Sequence, residues 1–261
     1  MTIGLSFTKW SGLGDPVWVA IANYTDQLAD PIFIRSVINT VIIAVITVPV
    51  GLGLAIILAR LINKRKLRPL YLALFFAPVV TSSIAVSLIW QQMLRQDGIL
   101  SVTISRILGV SAPNWLGDPN LALIAVCMVA IWSSLGLNIV IFISGYQGIS
   151  ASILDAATVD GASTLRRFWS VELPMLSPII FFSVVVAVIS SFQTFDTVYV
   201  LTANAGPDNA TRTIVYHIYD VGYRTAKMGL SSAASVVLLI LTLAVTLVQF
   251  AGQKKLVHYD Q

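Results

Sequence analysis

A band of polar side chains interrupts an otherwise apolar stretch at residues 176–201. Its members carry hydroxyl, amide or carboxylate groups, and they are Ser190, Ser191, Gln193, Thr194, Asp196 and Thr197. Gln193 and Asp196 are three residues apart, so a helix would hold them near one face. Such groups are costly inside a membrane, where they mark either a path for polar solutes or hydrogen-bonded contacts between helices. The spacing alone leaves both uses open.

The other residues that could react or bind a metal are isolated in the sequence. His217 and His258 have no partner at metal-ligand spacing, and Cys127 is the only cysteine, which excludes a disulfide within the chain. We expect solvated or capping roles for the histidines and a small buried side chain at Cys127. No stretch matches G-x-x-x-x-G-K-[ST], the phosphate-binding loop of many ATPases. The sequence therefore predicts no catalytic residue, metal site or ATP site in this chain.

The composition indicates a membrane protein. Of the 261 residues, 57% are hydrophobic and 11% are charged, whereas about 25% are charged in ordinary soluble domains. The charge-free stretches are long enough to cross a bilayer, which takes about 20 apolar residues as a helix. The net charge is +4 at pH 7, but the basic residues lie in short connections, so we expect no nucleic-acid partner. The predicted fold class is an all-α polytopic membrane protein.

Five transmembrane helices are predicted from the apolar stretches. They are Val37–Leu61, Leu70–Leu94, Leu121–Gly145, Leu176–Leu201 and Met228–Gly252. Pro49 and Pro78 lie inside the first two spans and predict kinks there. Small residues cluster at Gly51 and Gly53 and along residues 231–235, where we expect helices to pack closely.

The distribution of Lys and Arg predicts the orientation in the membrane. Five basic residues and no acid lie at the connection between spans one and two, namely Arg60, Lys64, Arg65, Lys66 and Arg68. This connection is therefore predicted to be cytoplasmic. Alternation then makes residues 150–178 and the C-terminal tail cytoplasmic, and residues 202–227 external. Three basic residues count against the last assignment: Arg212, Arg224 and Lys227.

The N-terminal segment, residues 1–36, is external by the same alternation. It contains no apolar run long enough for a signal peptide. We expect that a preceding span is missing from this sequence and that residues 4–10 are its outer edge. The alternative is a five-span protein whose N-terminus is exported without a signal. The predicted organisation is an external segment (1–36), a membrane domain (37–252) and a cytoplasmic tail (253–261).

Residues 150–178 contain signals for a short helix. Ser152 and Asp155 are close to a capping box, which predicts a helix over 153–160. Gly161 would end this helix, because glycine readily adopts the left-handed conformation found at helix C-termini. A narrow face of the helix would be formed by Ile153, Ala156, Ala157 and Asp160.

A second short helix is predicted over residues 164–170, with Ser163 as its cap. Pro174 and Pro178 would then begin span four, where missing amide hydrogens cost nothing. The alternative interpretation of this region is a helix that merely lies at the membrane surface, held by Arg and Trp side chains.

The order of residues in this region matches a known motif. The pattern D-A-A-x-x-D-G-A-x5-F-x5-L-P-x3-P is formed by Asp155, Ala156, Ala157, Asp160, Gly161, Ala162, Phe168, Leu173, Pro174 and Pro178. It resembles the EAA loop of binding-protein-dependent ABC importer permeases, with Asp155 in place of the glutamate that names the motif. Residues 192–202 and 204–211 are similar to the MalF-like branch of sugar and glycerol-phosphate permeases. Glu172 departs from the family, which usually carries a small or hydroxyl residue there.

The resemblance implies a mechanism and a set of partners. Residues 150–178 would be a coupling loop, in which the helix Ile153–Ala162 docks in a cleft of a cytoplasmic ATP-binding subunit and Pro174 passes the movement to span four. The partners would be a second permease subunit, two ATP-binding subunits and an external solute-binding protein. The complex would lie in the inner membrane of a bacterium or archaeon, in contact with lipid. No cofactor is expected in this chain, since ATP and Mg would bind the ATP-binding subunits.

A pathway for a sugar or polyol requires amide and carboxylate groups beside flat apolar walls. The candidate pathway residues are Gln193, Asp196, Ser191, Asn138 and Trp90, with Phe192 and Phe195 as further walls. Helix packing through hydrogen bonds is the alternative role of the polar candidates. The alternative function is a secondary transporter, but neither inverted repeats nor broken helices are evident in the sequence. A membrane-embedded hydrolase is disfavoured because no nucleophile with a base is evident.

Overall fold

The computed structural model describes residues 1–256, most of which are helical. The N-terminal part contains helix α1 (Thr2–Leu5), an antiparallel hairpin of strands β1 (Thr8–Lys9) and β2 (Val17–Trp18), and helix α2 (Ala22–Ala29). The next helices are α3 (Pro31–Asn63), α4 (Arg68–Val80), α5 (Ser83–Leu94), α6 (Ile99–Leu108), α7 (Pro119–Gly148), α8 (Ala151–Val159) and α9 (Thr164–Arg167). The chain continues with α10 (Leu173–Phe192), α11 (Asp196–Leu201), α12 (Ile214–Tyr219) and α13 (Met228–Leu256). Two π-helical turns, Phe168–Glu172 and Asp220–Arg224, follow α9 and α12.

Among residues 1–256, four helical segments are long and apolar enough to cross a membrane. They are Pro31–Asn63, Pro119–Gly148, Thr164–Phe192 and Met228–Gln253. A fifth span results if the bent pair Arg68–Val80 and Ser83–Leu108 crosses as one. These segments overlap the five predicted spans, so the predicted class of polytopic all-α membrane protein is confirmed.

Span two differs from the prediction because its helix is broken. The predicted span Leu70–Leu94 is divided between α4 and α5 at Thr81 and Ser82. Thr81 has an extended backbone, and its hydroxyl donates to the Ala77 carbonyl oxygen (2.8 Å). Ser and Thr side chains compete in this way with the backbone hydrogen bonds of a helix. The interruption therefore lies at these hydroxyl residues and not at Pro78, where the kink was predicted.

Span four is also broken, and the predicted continuous helix to Leu201 is wrong. Helix α10 ends at Phe192, and α11 begins at Asp196 after three non-helical residues. The break is stabilised by a side chain from a later segment, since the Thr213 hydroxyl donates to the Thr194 carbonyl oxygen (2.9 Å). A free backbone carbonyl would be costly at such a position, and this hydrogen bond satisfies it.

The N-terminal residues form a short helix followed by a hairpin. Residues 4–10 pass from α1 into β1, and the β1–β2 hairpin stacks Phe7 on Trp18 with ring centroids 5.5 Å apart. Helix α3 begins at Pro31, six residues before the predicted start of span one. Proline is favoured in the first turn of a helix, and the Asp30 carboxylate accepts a hydrogen bond from the Ile32 backbone (2.9 Å).

The chain divides into two compact units, each with its own core. Unit 1 comprises Met1–Thr47, Ser82–Ala130 and Ile189–Val245. Its buried apolar residues include Ile43, Leu94, Val126, Leu201 and Tyr216. Within this unit α13 approaches β1 closely at Gly229, where a Cβ atom would collide with the Thr8 carbonyl oxygen.

Unit 2 comprises Val48–Thr81, Ile131–Val188 and the chain from Thr246 onward. Its core includes Leu52, Ala59, Ile139, Phe142 and Leu176. Helix α7 approaches α4 within this unit at Gly136, where a Cβ atom would meet the Phe75 carbonyl oxygen. Close packing was also predicted at Gly51 and Gly53. A Cβ built on Gly51 would lie 3.6 Å from the Ser134 hydroxyl oxygen of α7, whereas no atom lies within 4 Å of one built on Gly53.

Candidate functional site

The predicted coupling loop, residues 150–178, begins with helix α8. Its N-cap residue, Ser150, makes no side-chain hydrogen bond to the helix backbone, and the Ser150 hydroxyl oxygen lies 2.8 Å from that of Ser152. The Ser150 carbonyl oxygen already accepts a hydrogen bond from the Ile153 backbone (3.2 Å). The chain therefore enters the helix at Ala151, two residues earlier than predicted, and the predicted capping box of Ser152 and Asp155 is wrong.

The C-terminal end of α8 agrees with the prediction. Gly161 has a φ of +75°, in the region that favours glycine. The Gly161 backbone donates to the Thr158 carbonyl oxygen (3.1 Å), and the Ala162 backbone donates to that of Ala157 (3.0 Å). This pair of hydrogen bonds is the Schellman arrangement that terminates many helices. Gly161 is thus the residue that stops α8, as predicted.

Most of the predicted contact residues of α8 are exposed. The exposed ones are Ile153, Asp155, Ala156, Asp160 and Gly161, whereas Ala157 and Ala162 are half-buried. Leu154 anchors the helix, since it packs against the core of unit 2. Val159 is 87% exposed and was not predicted, although its three-residue spacing from Ala156 indicates the same face. The free side of α8 is therefore a narrow apolar surface beside two carboxylates.

The second helix of the loop is capped as predicted but continues further. The Ser163 hydroxyl oxygen accepts a hydrogen bond from the Arg166 backbone (3.3 Å) at the start of α9. The helix passes through a π-helical turn, Phe168–Glu172, directly into α10. Pro174 therefore lies in the interior of a helical segment and not at the start of span four, and the same correction applies to Pro178.

The π-helical turn explains how the helix accommodates Pro174. Proline has no amide hydrogen, and in a regular α-helix its ring collides with the carbonyl group four residues earlier. In the wider turn the Leu173 backbone donates to the Phe168 carbonyl oxygen, five residues earlier. The turn thus alters the register immediately before Pro174, and π turns of this kind often occur at functional positions.

Glu172, which the sequence reasoning left without a role, is the most buried charged group of the loop. It is 4% exposed. Arg60 donates to both of its carboxylate oxygens, at 2.7 and 3.1 Å, and Arg167 donates to one of them at 3.2 Å. Arg60 precedes Glu172 by 112 residues, so only the folded chain brings the two together.

Asp196 lies at the first position of α11, immediately after the break in span four. The Ser83 hydroxyl at the start of α5 donates to its carboxylate. Helices α5 and α11 are further joined by the Gln91 amide, which donates to the Val200 carbonyl oxygen (2.7 Å). The carboxylate of Asp196 is thus held between two helix starts of unit 1, and it remains partly exposed.

The other predicted pathway residues have different surroundings. Ser191 is buried, Gln193 is exposed in the break, and Trp90 packs against the core of unit 1. Asn138 belongs to unit 2, where its amide donates to the Ser134 carbonyl oxygen of its own helix (3.0 Å). Unit 1 therefore holds every predicted pathway residue except Asn138.

A row of aromatic rings begins at Phe195, the residue before Asp196. Phe195 and Tyr199 stack at 5.4 Å, and each packs against Tyr219, at 5.2 and 5.5 Å. Tyr219 in turn stacks on Tyr223 at 5.8 Å, and Tyr223 is 72% exposed. We call these four residues the aromatic row. Sequence reasoning found only Phe195, although the spacing of the tyrosines along residues 216–223 indicates one helical face.

His217 is buried, contrary to the expected solvated or capping role. It is 1% exposed and packs against Phe33. Arg212 donates to His217 Nδ1 (3.2 Å), so the hydrogen is carried by Nε2, which donates to Gln27 Oε1 (3.0 Å). Burial, followed by the charge of Arg212, lowers the pKa of His217 to about 4. The imidazole is therefore neutral at physiological pH.

Two further predictions concern single residues. Cys127 is buried, as expected, whereas His258 and most of the predicted cytoplasmic tail lie outside the described residues. Within residues 1–256, no group of three or more His, Cys, Asp or Glu side chains has the geometry of a metal site.

Comparison with known proteins gives the family. Residues 51–257 match the family described as binding-protein-dependent transport system inner membrane component. The sn-glycerol-3-phosphate transport system permease protein UgpA of Agrobacterium fabrum is 34% identical, over 93% of this chain and 83% of that protein. The lactose transport system permease protein LacF of Rhizobium radiobacter is 33% identical, over 95% and 82%. The multiple sugar-binding transport system permease protein MsmF of Streptococcus mutans is 32% identical, over 96% and 86%.

A solved structure shares the fold. A chain of a bacterial ABC transporter involved in the import of the acidic polysaccharide alginate superimposes with a TM-score of 0.84, over 98% of this chain and 89% of that chain. The sequences are 20% identical, so this likeness concerns the fold alone.

The fold and the family together define the class of protein. By its family, this multi-pass helical chain is a membrane permease subunit of an ABC importer, and the permease subunits of this family are not themselves enzymes. The chain belongs to the binding-protein-dependent transport system inner membrane component family. The sequence showed no broken helices, and this counted against a secondary transporter. The structure does contain two broken spans. Family membership therefore decides between an ABC importer subunit and a secondary transporter.

Proposed function

We propose that this permease subunit forms half of the pore of an ATP-driven importer for a sugar, a related polyol or a glycerol phosphate. The names of its relatives, which refer to transport of glycerol 3-phosphate, lactose and multiple sugars, support this substrate class. The observation that carries the proposal is the break in span four, where the exposed Gln193 and the carboxylate-bearing Asp196 lie on either side of Phe195 in the chain, and Phe195 belongs to the aromatic row. Such polar groups beside aromatic walls are typical of sites that orient small polar ligands.

The proposed solute pathway combines two kinds of contact. Asp196 and Gln193 provide groups that can exchange hydrogen bonds with several hydroxyls, and Asp196 is already oriented by Ser83. The aromatic row provides flat apolar surfaces from the exposed Tyr223 to Phe195. Ser191 and Trp90 of unit 1 remain candidates for the same pathway, and Asn138 of unit 2 stays a separate prediction.

The proposed coupling mechanism uses α8 as the docking helix. Its free surface is narrow and apolar, which suits a cleft on an ATP-binding subunit, and Leu154 ties it to the core of unit 2. Closure of two such subunits on ATP would displace α8, and the displacement would pass through α9 and the π-helical turn to α10. Since these three form one continuous helical segment, Thr164–Phe192, the movement is that of a rigid element.

The proposed partners are a second permease subunit, two ATP-binding subunits that carry ATP and Mg, and an external solute-binding protein. The surface of this chain supports a second membrane partner. In the spans Thr164–Phe192 and Met228–Gln253, only 17% and 11% of the most apolar 18-residue stretch is buried. The corresponding share is 44% in α3 and in α7. The uncovered apolar surface of these two spans is available to lipid and to the second permease.

The proposed orientation makes the coupling loop and the C-terminus cytoplasmic. The basic residues at the end of α3 and before α4 support it through the positive-inside rule. The segment 202–227, with its three basic side chains, would then be external. Arg212 and Arg224 weigh little against this, because both pair with Asp220, at 2.7 and 3.2 Å.

The test is reconstitution of the complex encoded with this chain in proteoliposomes. The solute-binding protein is first measured against a panel of sugars, disaccharides and glycerol phosphates. The best ligand is then offered to the full complex, with ATP inside or outside the vesicles. Uptake that depends on ATP and on the binding protein supports the proposal. Uptake driven by an ion gradient without ATP contradicts it.

A further inference from the structure

The carboxylate of Glu172 joins two arginines from distant parts of unit 2. Both oxygens accept hydrogen bonds from Arg60, a bidentate geometry that suits the planar guanidinium. One oxygen also accepts from Arg167 Nε. The carboxylate is 5% exposed, and the side chains of Arg60 and Arg167 are 26% and 24% exposed. A buried carboxylate is tolerated only when it is paired and hydrogen-bonded in this way.

Each arginine holds a further segment of the coupling loop. Arg60 donates to the Thr164 carbonyl oxygen at the start of α9 (3.0 Å), and its guanidinium lies 4.8 Å from the centre of the Phe168 ring. Arg167 donates to the Thr158 hydroxyl on α8 (3.3 Å). One carboxylate thus connects the end of α3, the helix α8, the start of α9 and the π-helical turn.

We propose that Arg60, Glu172 and Arg167 form an ionic latch that makes α3 move with the coupling loop. The inference rests on the proposed coupling role of α8. Through α10 alone, displacement of α8 reaches one membrane helix, whereas the latch adds α3 as a second. Glu172 is accordingly a positioning residue, which contacts neither solute nor ATP. Its place at the end of the π-helical turn sets the angle at which the loop enters α10.

The latch is tested in the complete importer, reconstituted with its binding protein. Glu172→Gln keeps the size of the side chain and removes its charge. We expect assembly and ATP hydrolysis to persist while the solute transported per ATP falls at least about fivefold, the lower end of typical coupling between sites. The matched control is Asp97→Asn, which removes an exposed carboxylate paired with Arg95 and should leave this ratio unchanged.

Two further variants distinguish coupling from stability. The double variant Glu172→Gln with Arg60→Gln should lose less transport per ATP than the two single losses combined, because both single variants remove the Arg60–Glu172 pair. The triple variant Arg60→Met, Glu172→Leu, Arg167→Met replaces the charges with apolar groups, a change that buried ion pairs often tolerate. It should assemble and hydrolyse ATP but transport poorly. A wild-type ratio of transport to hydrolysis in the triple variant overturns the proposal.

Hydrogen exchange separates failure of the latch from failure of the proposed function. In the purified complex, Glu172→Gln should raise amide exchange across residues 151–167, whether or not solute is transported. Unchanged exchange there overturns the latch. In another outcome, the wild-type complex neither transports solute nor hydrolyses ATP, while Glu172→Gln still raises exchange across residues 151–167. That result contradicts the coupling role of α8 and supports the link between α3 and the loop.

Discussion

At the scale of single residues, His217 is held neutral by what surrounds it. Arg212 donates to one ring nitrogen, and Gln27 accepts from the other. A proton added to the ring would face the Arg212 charge in a buried setting, and the attraction of Asp30 and Asp220 offsets this only in part. The histidine therefore contributes to folding only in its neutral form.

This predicts a loss of stability in mild acid. The pKa of His217 is about 4 in the fold and about 6.5 in an unfolded chain. Between these values the unfolded chain binds the proton and the folded chain does not, so stability falls as pH falls from about 6.5 towards 4. At pH 5 the loss is about 2 kcal/mol. Thermal unfolding of the purified protein at pH 7.5 and pH 5 measures it.

The matched variant is His217→Gln, whose amide can accept from Arg212 and donate to Gln27 without titrating. Its unfolding midpoint should change less between the two pH values than that of the wild type. An equal change in both proteins would mean that another group is responsible.

Replacement of the pathway carboxylate tests solute contact. Asp196→Ala removes an acceptor that Ser83 already orients, and Gln193→Ala removes the exposed amide nearby. A hydrogen bond to a charged group contributes about 1.5–3 kcal/mol, so we expect KM for uptake to rise about tenfold or more in Asp196→Ala. Co-purification of the ATP-binding subunits should be unaffected.

Asp15→Ala is the control, since it removes an exposed carboxylate far along the chain from the break. Normal uptake kinetics in both pathway variants would assign Asp196 and Gln193 to helix packing instead.

At the scale of elements, the continuous segment Thr164–Phe192 changes how the loop works. Pro174 was predicted to begin span four and to pass the movement to it, but the π-helical turn before it joins α9 to α10 without interruption. Within residues 151–192 the helical path is then interrupted at Gly161, between α8 and α9. Gly161 is exposed, and a Cβ there would meet no atom within 4 Å. Glycine is therefore favoured at this position by the positive φ of the backbone and not by lack of space for a side chain.

Two substitutions of Gly161 should distinguish the effect of its backbone conformation from the effect of an added side chain. Gly161→Pro cannot adopt a positive φ, and it should leave the protein inserted but abolish solute-stimulated ATP hydrolysis by the assembled complex. Gly161→Asn should retain most of the stimulation, because asparagine tolerates this conformation. A bulky residue at Ala157, which is half-buried, should act like proline. Normal stimulation in Gly161→Pro would refute the coupling assignment.

Two glycines of unit 2 provide a test of helix packing. Gly136→Ala puts a Cβ atom against the Phe75 carbonyl oxygen, so α7 or α4 must shift, at a cost of about 1–3 kcal/mol. Gly53→Ala adds the same group where no atom lies within 4 Å, and it should be neutral or stabilising by up to about 1 kcal/mol. The unfolding midpoint should fall in Gly136→Ala and should stay unchanged or rise in Gly53→Ala. Equal midpoints would show that α7 adjusts freely.

These elements also show which parts of the fold are readable in sequence. The apolar stretches predicted the spans, because a bilayer demands about 20 apolar residues wherever a helix crosses it. The breaks at Thr81 and at residues 193–195 were not predicted, since they depend on hydroxyls and carbonyls that find partners only in the folded chain. The same holds for the close approach at Gly136, which looks in sequence like any other glycine of a span.

At the scale of the whole molecule, four long helices contribute to two units with separate cores. The core of each unit is made of ordinary aliphatic and aromatic side chains. The functional candidates divide between the units: the Asp196 region and the aromatic row belong to unit 1, and the coupling loop with the ionic latch belongs to unit 2. Import would require movement in unit 2 to alter the pathway in unit 1. The chain passes from one unit to the other within the helices α3, α7, α10 and α13 and at the bond between Thr81 and Ser82.

The sequence by itself determined the class, the family and the stop at Gly161, because hydropathy, motif order and glycine backbone freedom are properties of neighbouring residues. It also indicated Asp196 through the cost of a carboxylate within a span. Only the tertiary structure decided that Glu172 joins Arg60 to the coupling loop, that His217 is buried and that tyrosines pack against Phe195. Each of these depends on side chains far apart in the chain, whose charges and rings meet only when the helices pack.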